Sequence, residues 1–176
     1  MKINDKVAFI TGGSGGLGSV IALRLAASGA NIAISYGQNL AAAKEIKAQI
    51  IAMGRKCCIL EMDQRVPQSI VNSVNHIVSE LGTIDILVNN AAWNAAVPFK
   101  DLDALTPELW DRMHETNLRG PFLVTRACAS HLRKNKMGRV INISAFIGLS
   151  AEGSSIAHAT ATVSYTHLTL PTNTPV

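Results

Sequence analysis

The sequence predicts a doubly wound α/β fold, a parallel sheet with helices on both faces. Three observations point there. Short apolar runs alternate with helical segments from Lys6 to Ile143, glycine follows several of the helical segments, and the glycine-rich stretch Thr11 to Gly18 (TGGSGGLG) joins the first strand to the first helix. With 176 residues, 48% of them hydrophobic, the chain can bury one sizeable core, so a single domain is expected.

Lys6 to Ile10 is short and apolar enough for a buried parallel strand. Leu17 to Ser28 reads as a helix with Leu17, Val20, Ile21 and Leu25 on one side, stopped by Gly29. Asn31 to Tyr36 is strand two, Leu40 to Met53 a helix closed by Gly54, and Lys56 to Met62 strand three. Pro67 opens a helix that ends at Gly82, and Ile84 to Asn89 is strand four. After a loop, Thr106-Pro107-Glu108 offers an N-cap, a first-turn proline and a dipole-favoured acid. A long helix is expected from there to about Lys136, bent near Gly120-Pro121, and Arg139 to Ile143 is strand five. Gly153 to Thr162 can begin a helix. Val163 to Val176 has neither period, carries two prolines and reads as a frayed tail.

Composition narrows the function. The formal charge of +4 comes from scattered residues, and the one cluster, Arg133-Lys134-Asn135-Lys136 with Arg139, lies where cations complement a helix C-terminus. Nucleic acid is therefore not an expected partner. No apolar run reaches the length of a membrane span and the N-terminus lacks a signal-peptide pattern, so a cytoplasmic protein with no membrane partner is expected. Cys57, Cys58 and Cys128 read as reduced core thiols, and the dispersed histidines offer no zinc spacing, so no metal is expected.

A buried strand running into a glycine turn and then a helix places backbone N–H groups where a pyrophosphate can be held. The loop fits two glycine spacings, TGxxxGxG through Gly12, Gly16 and Gly18, and TGxxGxxG through Gly12, Gly15 and Gly18. Further motifs separate them: Asn89-Asn90-Ala91-Ala92 at the end of strand four, Asn117 on the long helix, Asp63 after strand three, and Gly138 to Ser144 at strand five. Together these resemble the classical short-chain dehydrogenase/reductase family, with 3-oxoacyl-carrier-protein-reductase-like members the nearest in look. The resemblance runs from residue 2 to about residue 162, with alanine at position 92 where the family motif has glycine. An epimerase-type relative with the other spacing is disfavoured by the Asn-Asn-Ala-Ala strand end.

The resemblance implies a Rossmann-type dinucleotide-binding domain over residues 1–162 that lacks the last strands of the family fold, leaving strand five as an exposed edge. It implies an oxidoreductase that transfers a hydride between NAD(P)H and a small carbonyl or alcohol substrate. Gly12 and Gly16 then let the backbone approach the pyrophosphate, Ser14 and Leu17 line it, and Gly18 permits close helix packing. Asp63 meets the adenine, Asn90 and Ala91 pass beside the ribose, and Asp85 is structural. At the end of strand two, Tyr36 stands where an acid would hold the ribose of NAD; its neutrality favours NADP, although no arginine is adjacent. A homo-oligomer is expected of the full-length protein.

The family's catalytic serine, tyrosine and lysine fall on Ala145, His158 and Thr162, so none of the three is present. Asn117 corresponds to the helix asparagine of the family's water relay. Ser144 is a substitute if the strand end twists, because neighbouring strand residues face opposite ways. His158 is a substitute proton donor by its titration range, though shorter than a tyrosine. Non-catalytic dinucleotide binding and an inactive gene fragment are the alternatives. Val163 to Thr172 (VSYTHLTLPT) also resembles the translation of a sequencing-library adapter, which makes residues 163–176 non-native and Thr162 the remnant of a lysine codon.

Overall fold

The computed structural model describes residues 3–134, 137–150 and 155–168. Strands β1 (Val7–Ile10), β2 (Asn31–Tyr36), β3 (Cys57–Glu61), β4 (Ile86–Asn89) and β5 (Arg139–Asn142) form one parallel sheet in the order β3-β2-β1-β4-β5. The crossovers are α1 (Gly16–Ala27), α2 (Leu40–Ala52), α3 (Pro67–Leu81), and a composite of α4 (Pro107–His114), a π-helical turn (Glu115–Arg119) and α5 (Gly120–Lys134). A 3-10 turn (Phe146–Gly148), α6 (Ile156–Val163) and α7 (Tyr165–Leu168) follow β5.

Alternation along β1 divides the core. Val7 and Phe9 point toward α3 and α5, into a cluster with Ile70, Val74, Ile77, Val124 and Cys128. Ala8 and Ile10 point the other way, toward α1 and α2, with Ala22, Ala26, Ile46 and Ile50. Both faces of the sheet are thus covered, as the sequence predicts, and local signals set the helix ends. Asn39 accepts the Ala42 N–H at 3.0 Å to cap α2, Thr106 accepts that of Leu109 at 3.4 Å to cap α4, and α3 exits through Gly82 at φ +87°.

Two expectations need correction and one is made specific. The buried stripe of α1 is Gly18, Ala22 and Ala26, while Leu17 and Val20 are 56% and 53% exposed. Small residues let the helix lie close to β1, and bulky ones on that face would push it off. Near Gly120-Pro121 the irregularity expected of the long helix takes the form of a π-helical turn, Glu115–Arg119, directly before that pair, where the Gly120 N–H reaches back five residues to the Glu115 carbonyl. Pro121 has no N–H to return to Asn117 and its ring crowds that carbonyl, which accounts for the wider turn before it. Finally, the chain beyond Thr162 is helical to Leu168 and Tyr165 is buried, so this part is packed and not frayed. Residues 169–176 lie outside the described residues, as do Asn135 and Lys136 of the basic cluster.

β5 is an edge strand, with Ile141 45% exposed and Phe146 and Leu149 beyond it at 79% and 83%. Its entry is fixed by Asp85. The buried carboxylate accepts the Val7 N–H at 2.8 Å and faces Lys6 Nζ at 3.6 Å, while the Asp85 carbonyl accepts the Arg139 N–H at 3.0 Å. One residue thereby aligns β1, β4 and β5, in agreement with its structural reading. Asp85→Ala leaves the Val7 N–H unpaired, and urea unfolding followed by circular dichroism should show a loss of about 1–3 kcal/mol. Asp85→Asn keeps an acceptor and should recover part of that loss; an Ala variant as stable as the parent would remove Asp85 from this role.

Candidate functional site

The C-terminal ends of β1 and β4 are laced together. Thr11 Oγ1, fully buried, accepts the N–H groups of Asn90 and Ala91, both at 3.0 Å, and Asn90 Nδ2 donates to the Thr11 carbonyl at 3.0 Å. Gly12 turns the chain at φ +64° and gives its N–H to Ser35 Oγ of β2 at 3.1 Å. A Cβ at Gly12 would lie 3.0 Å from Ala91 Cα, and one at Gly18 would lie against the Gly12 carbonyl oxygen and 2.7 Å from Asn90 Nδ2. A Cβ at Gly16 would meet nothing within 4 Å. Gly12 and Gly18 are thus required by packing, whereas Gly16 keeps open space above the loop.

That space is a cleft of about 770 Å³ at the strand ends. All nine residues expected to bind cofactor line it: Gly12, Ser14, Gly16, Leu17, Gly18, Tyr36, Asp63, Asn90 and Ala91. The first turn of α1 opens into it, carries no acidic residue, and by helix geometry has amide groups without intrahelical partners. Such a floor suits an anionic group. The cleft sits beside the place where strand order reverses between β1 and β4, as expected for open α/β sheets.

At the β2–β3 end the structure adds residues that sequence reasoning missed. Arg65 grips the Asp63 carboxylate through Nε at 3.0 Å and Nη2 at 2.6 Å, and its guanidinium holds that carboxyl below the usual carboxylate range. Arg65 and Arg112 line the same cleft as Tyr36, so cations reach it from β3 and α4 although none adjoins β2. Gln64 Nε2 donates to the carbonyls of Ala91 at 3.0 Å and Thr116 at 2.8 Å, tying the ends of β3 and β4 to the π turn. Arg65 stands two residues from Asp63, a signal the sequence carried; Gln64 and Arg112 had none.

The residues expected at the catalytic end do not line the cleft; they stand behind it. Trp93 forms part of the wall, with Arg112 4.0 Å over its ring. Asn117, fully buried in the π turn, accepts the Trp93 N–H at 2.8 Å, donates to the Trp93 carbonyl at 2.6 Å, and places Nδ2 3.3 Å from His158 Nδ1. Burial moves the His158 imidazole below the usual histidine range. Ser144 Oγ donates to the Thr162 carbonyl at 3.0 Å, and Thr162 Oγ1 turns back onto the His158 carbonyl at 2.8 Å. Asn117 and His158 are therefore joined, while both hydroxyls are spent on the α6 backbone and Ala145 supplies none.

Residues 6–172 match the short chain dehydrogenase family. The short-chain dehydrogenase/reductase FrzI of a Cladobotryum species is 35% identical over 158 residues, covering 88% of this chain and 58% of its own length. Acetoacetyl-CoA reductase of Shinella zoogloeoides is 35% identical over 144 residues, covering 82% of this chain and 56% of its own. The chain thus spans a little over half the length of these curated relatives. A short chain dehydrogenase from Burkholderia cenocepacia J2315, solved in complex with NADP, superimposes with a TM-score of 0.86 at 31% identity, covering 94% of this chain and 66% of that one. The motifs, the strand order and these likenesses agree: the chain belongs to the short-chain dehydrogenase family.

Proposed function

We propose that this chain is the dinucleotide-binding part of an NAD(P)-dependent oxidoreductase acting on a small carbonyl or alcohol. The observation that carries the reading is the convergence of Gly12, Gly16, Gly18, Asp63, Asn90 and Ala91 on one cleft floored by the amides of α1. The residues present fit the group. A pyrophosphate would lie over Gly16, where no side chain intrudes, and the adenosine would reach toward Tyr36 and Asp63. When bound, the nicotinamide supplies or accepts the hydride. The chain's own work is to hold that ring near Trp93, with Asn117 and His158 behind it.

The finer choices are part of the proposal. NADP is favoured because Tyr36, Gly37 and Gln38 place no carboxylate at the end of β2. The full-length protein is a cytoplasmic homo-oligomer in this reading, in keeping with three free cysteines. The adapter-like residues from Val163 onward are taken as foreign to the gene; genomic sequence that reads differently after codon 161 would confirm this, and sequence encoding the same residues would refute it.

A second reading, non-catalytic dinucleotide binding, is favoured by Ala145, by Thr162 and by the turned-in Ser144 hydroxyl. Loss of acid–base help typically costs about 10²–10⁴ in rate. NADPH fluorescence in a titration of the chain tests binding, and NADPH oxidation with a panel of small ketones then separates the two readings. Binding with turnover supports the reductase, binding alone supports the second reading, and no binding overturns both.

Two substitutions probe the cleft. Gly16→Ala should leave the melting temperature unchanged or slightly raised, since nothing lies within 4 Å and alanine is the better helix former, yet should weaken NADPH binding at least tenfold. Gly18→Ala should lose about 1–3 kcal/mol of stability by overpacking against the Gly12 carbonyl. Tyr36→Asp should shift preference from NADPH toward NADH by roughly tenfold or more, a ratio corresponding to about 1.4 kcal/mol. An unchanged ratio in competitive titration would place the discriminating group elsewhere.

A further inference from the structure

The Asn117 carboxamide has its orientation set by main chain. Its oxygen accepts the Trp93 N–H at 2.8 Å and its nitrogen donates to the Trp93 carbonyl at 2.6 Å. A flipped amide would place oxygen against oxygen and NH₂ against N–H, so the two backbone partners permit only one assignment. The same nitrogen has a second hydrogen, and His158 Nδ1 lies 3.3 Å away. Nδ1 must then present its lone pair, and the ring proton of a neutral His158 sits on Nε2. Adding a proton to Nδ1 would set two donors against each other.

The surroundings do not counter this. Helix α6 packs against α4, the π turn, the 3-10 turn and α7. On α4, Arg112 lies over Trp93 and His114 Nε2 meets Thr160 Oγ1 at 3.2 Å. In the π turn, Glu115 pairs with Arg119 at 3.0 Å, and on α7 burial pushes the Tyr165 phenol up to about 12. The 3-10 turn has no titratable side chain, and among the described residues no carboxylate bonds to His158. Burial of the imidazole acts in the same direction as the Asn117 donor.

We propose that Asn117 is a positioning residue that locks His158 as the neutral Nε2–H tautomer, so that His158 offers a hydrogen bond through Nε2 and does not work through an imidazolium. Its expected partner is the oxygen of the carbonyl or alcohol substrate, and in that respect the inference rests on the reductase reading. A neutral imidazole can polarise a carbonyl by hydrogen bonding while retaining its proton. The geometry around Nδ1 makes this site better suited to holding a proton at Nε2 than to releasing one.

Imidazole ¹⁵N spectra of the labelled full chain test this without requiring turnover, with the His158 signals identified by their loss in His158→Gln. The expected pattern is protonated Nε2 and unprotonated Nδ1, with a protonation midpoint below that of an ordinary histidine. Asn117→Asp replaces the donor by an acceptor and should raise that midpoint by a pH unit or more, a tenfold gain in proton affinity. A protonated Nδ1 in the parent chain, or an unmoved midpoint in a folded Asn117→Asp variant, overturns the proposal. If that variant does not fold, the parent tautomer decides alone. Failure of NADPH to bind a chain that shows the expected tautomer would count against the reductase reading only, and a reversed tautomer in a chain that binds and oxidises NADPH would count against this inference only.

Discussion

The site depends on the lacing between Thr11 and the Asn90-Ala91 pair. A parallel sheet leaves its strand ends open, and adjacent loops there have no ladder to hold them. One buried hydroxyl taking two amide hydrogens, with the Asn90 carboxamide returning to the Thr11 carbonyl, turns two loops into one rigid edge. Gly18 must then be glycine, because α1 starts against that edge, and the small stripe of Ala22 and Ala26 carries the close approach along the helix. The lacing also aims the first turn of α1 into the cleft. Asn90 thus serves both as a strand-end cap and as part of the cleft wall.

The sheet and the residues that line the cleft at its strand ends were largely legible in the sequence. Buried strands such as Val7–Ile10 and Ile86–Asn89 are marked by short apolar runs, and the glycine loop has a spacing that tertiary structure does not override. Where sequence reasoning failed, a competing constraint had won. Leu17, Val20, Ile21 and Leu25 share the apolar side of the helix in the sequence, but burial on α1 is decided by how near β1 must come, which selects Gly18, Ala22 and Ala26. Arg112 and Gln64 were missed because their roles come from the fold, which brings α4 and β3 to one cleft across long separations in sequence. No local pattern records that meeting.

The disturbance expected near Gly120-Pro121 is the π turn that ends at Arg119. Pro121 marks a disturbed helix, yet the strain it causes is relieved upstream, at the carbonyl it would have bonded. The wider turn holds Asn117, which bonds the Trp93 backbone and meets His158 Nδ1. His158 and Thr162 lie one turn apart on α6. The hydroxyls of Ser144 and Thr162 could not be aimed from sequence, because both choose backbone carbonyls of α6 that exist only once that helix is in place.

The two halves of the site differ in what supports them. The cleft is built on strands β1, β2 and β4, whose residues are buried on both faces and whose loops are joined by bonds to buried groups. The half around Asn117 and His158 rests on α6, which lies outside the sheet, buries Ala157, Ala161 and Thr162, and is further held by the bonds Ser144 to Thr162 and Thr160 to His114 and by the close approach of Gly148 to Thr162 and Val163 at its end. Beside it, Phe146 and Leu149 are open to solvent. Regions with few buried apolar contacts open at lower free energy than the core they border. The Asn117–His158 contact spans that boundary, with one partner anchored to the Trp93 backbone and the other carried by the less supported helix. The ordering of His158 therefore depends on how well α6 is held down, whereas the cleft that would receive the dinucleotide does not.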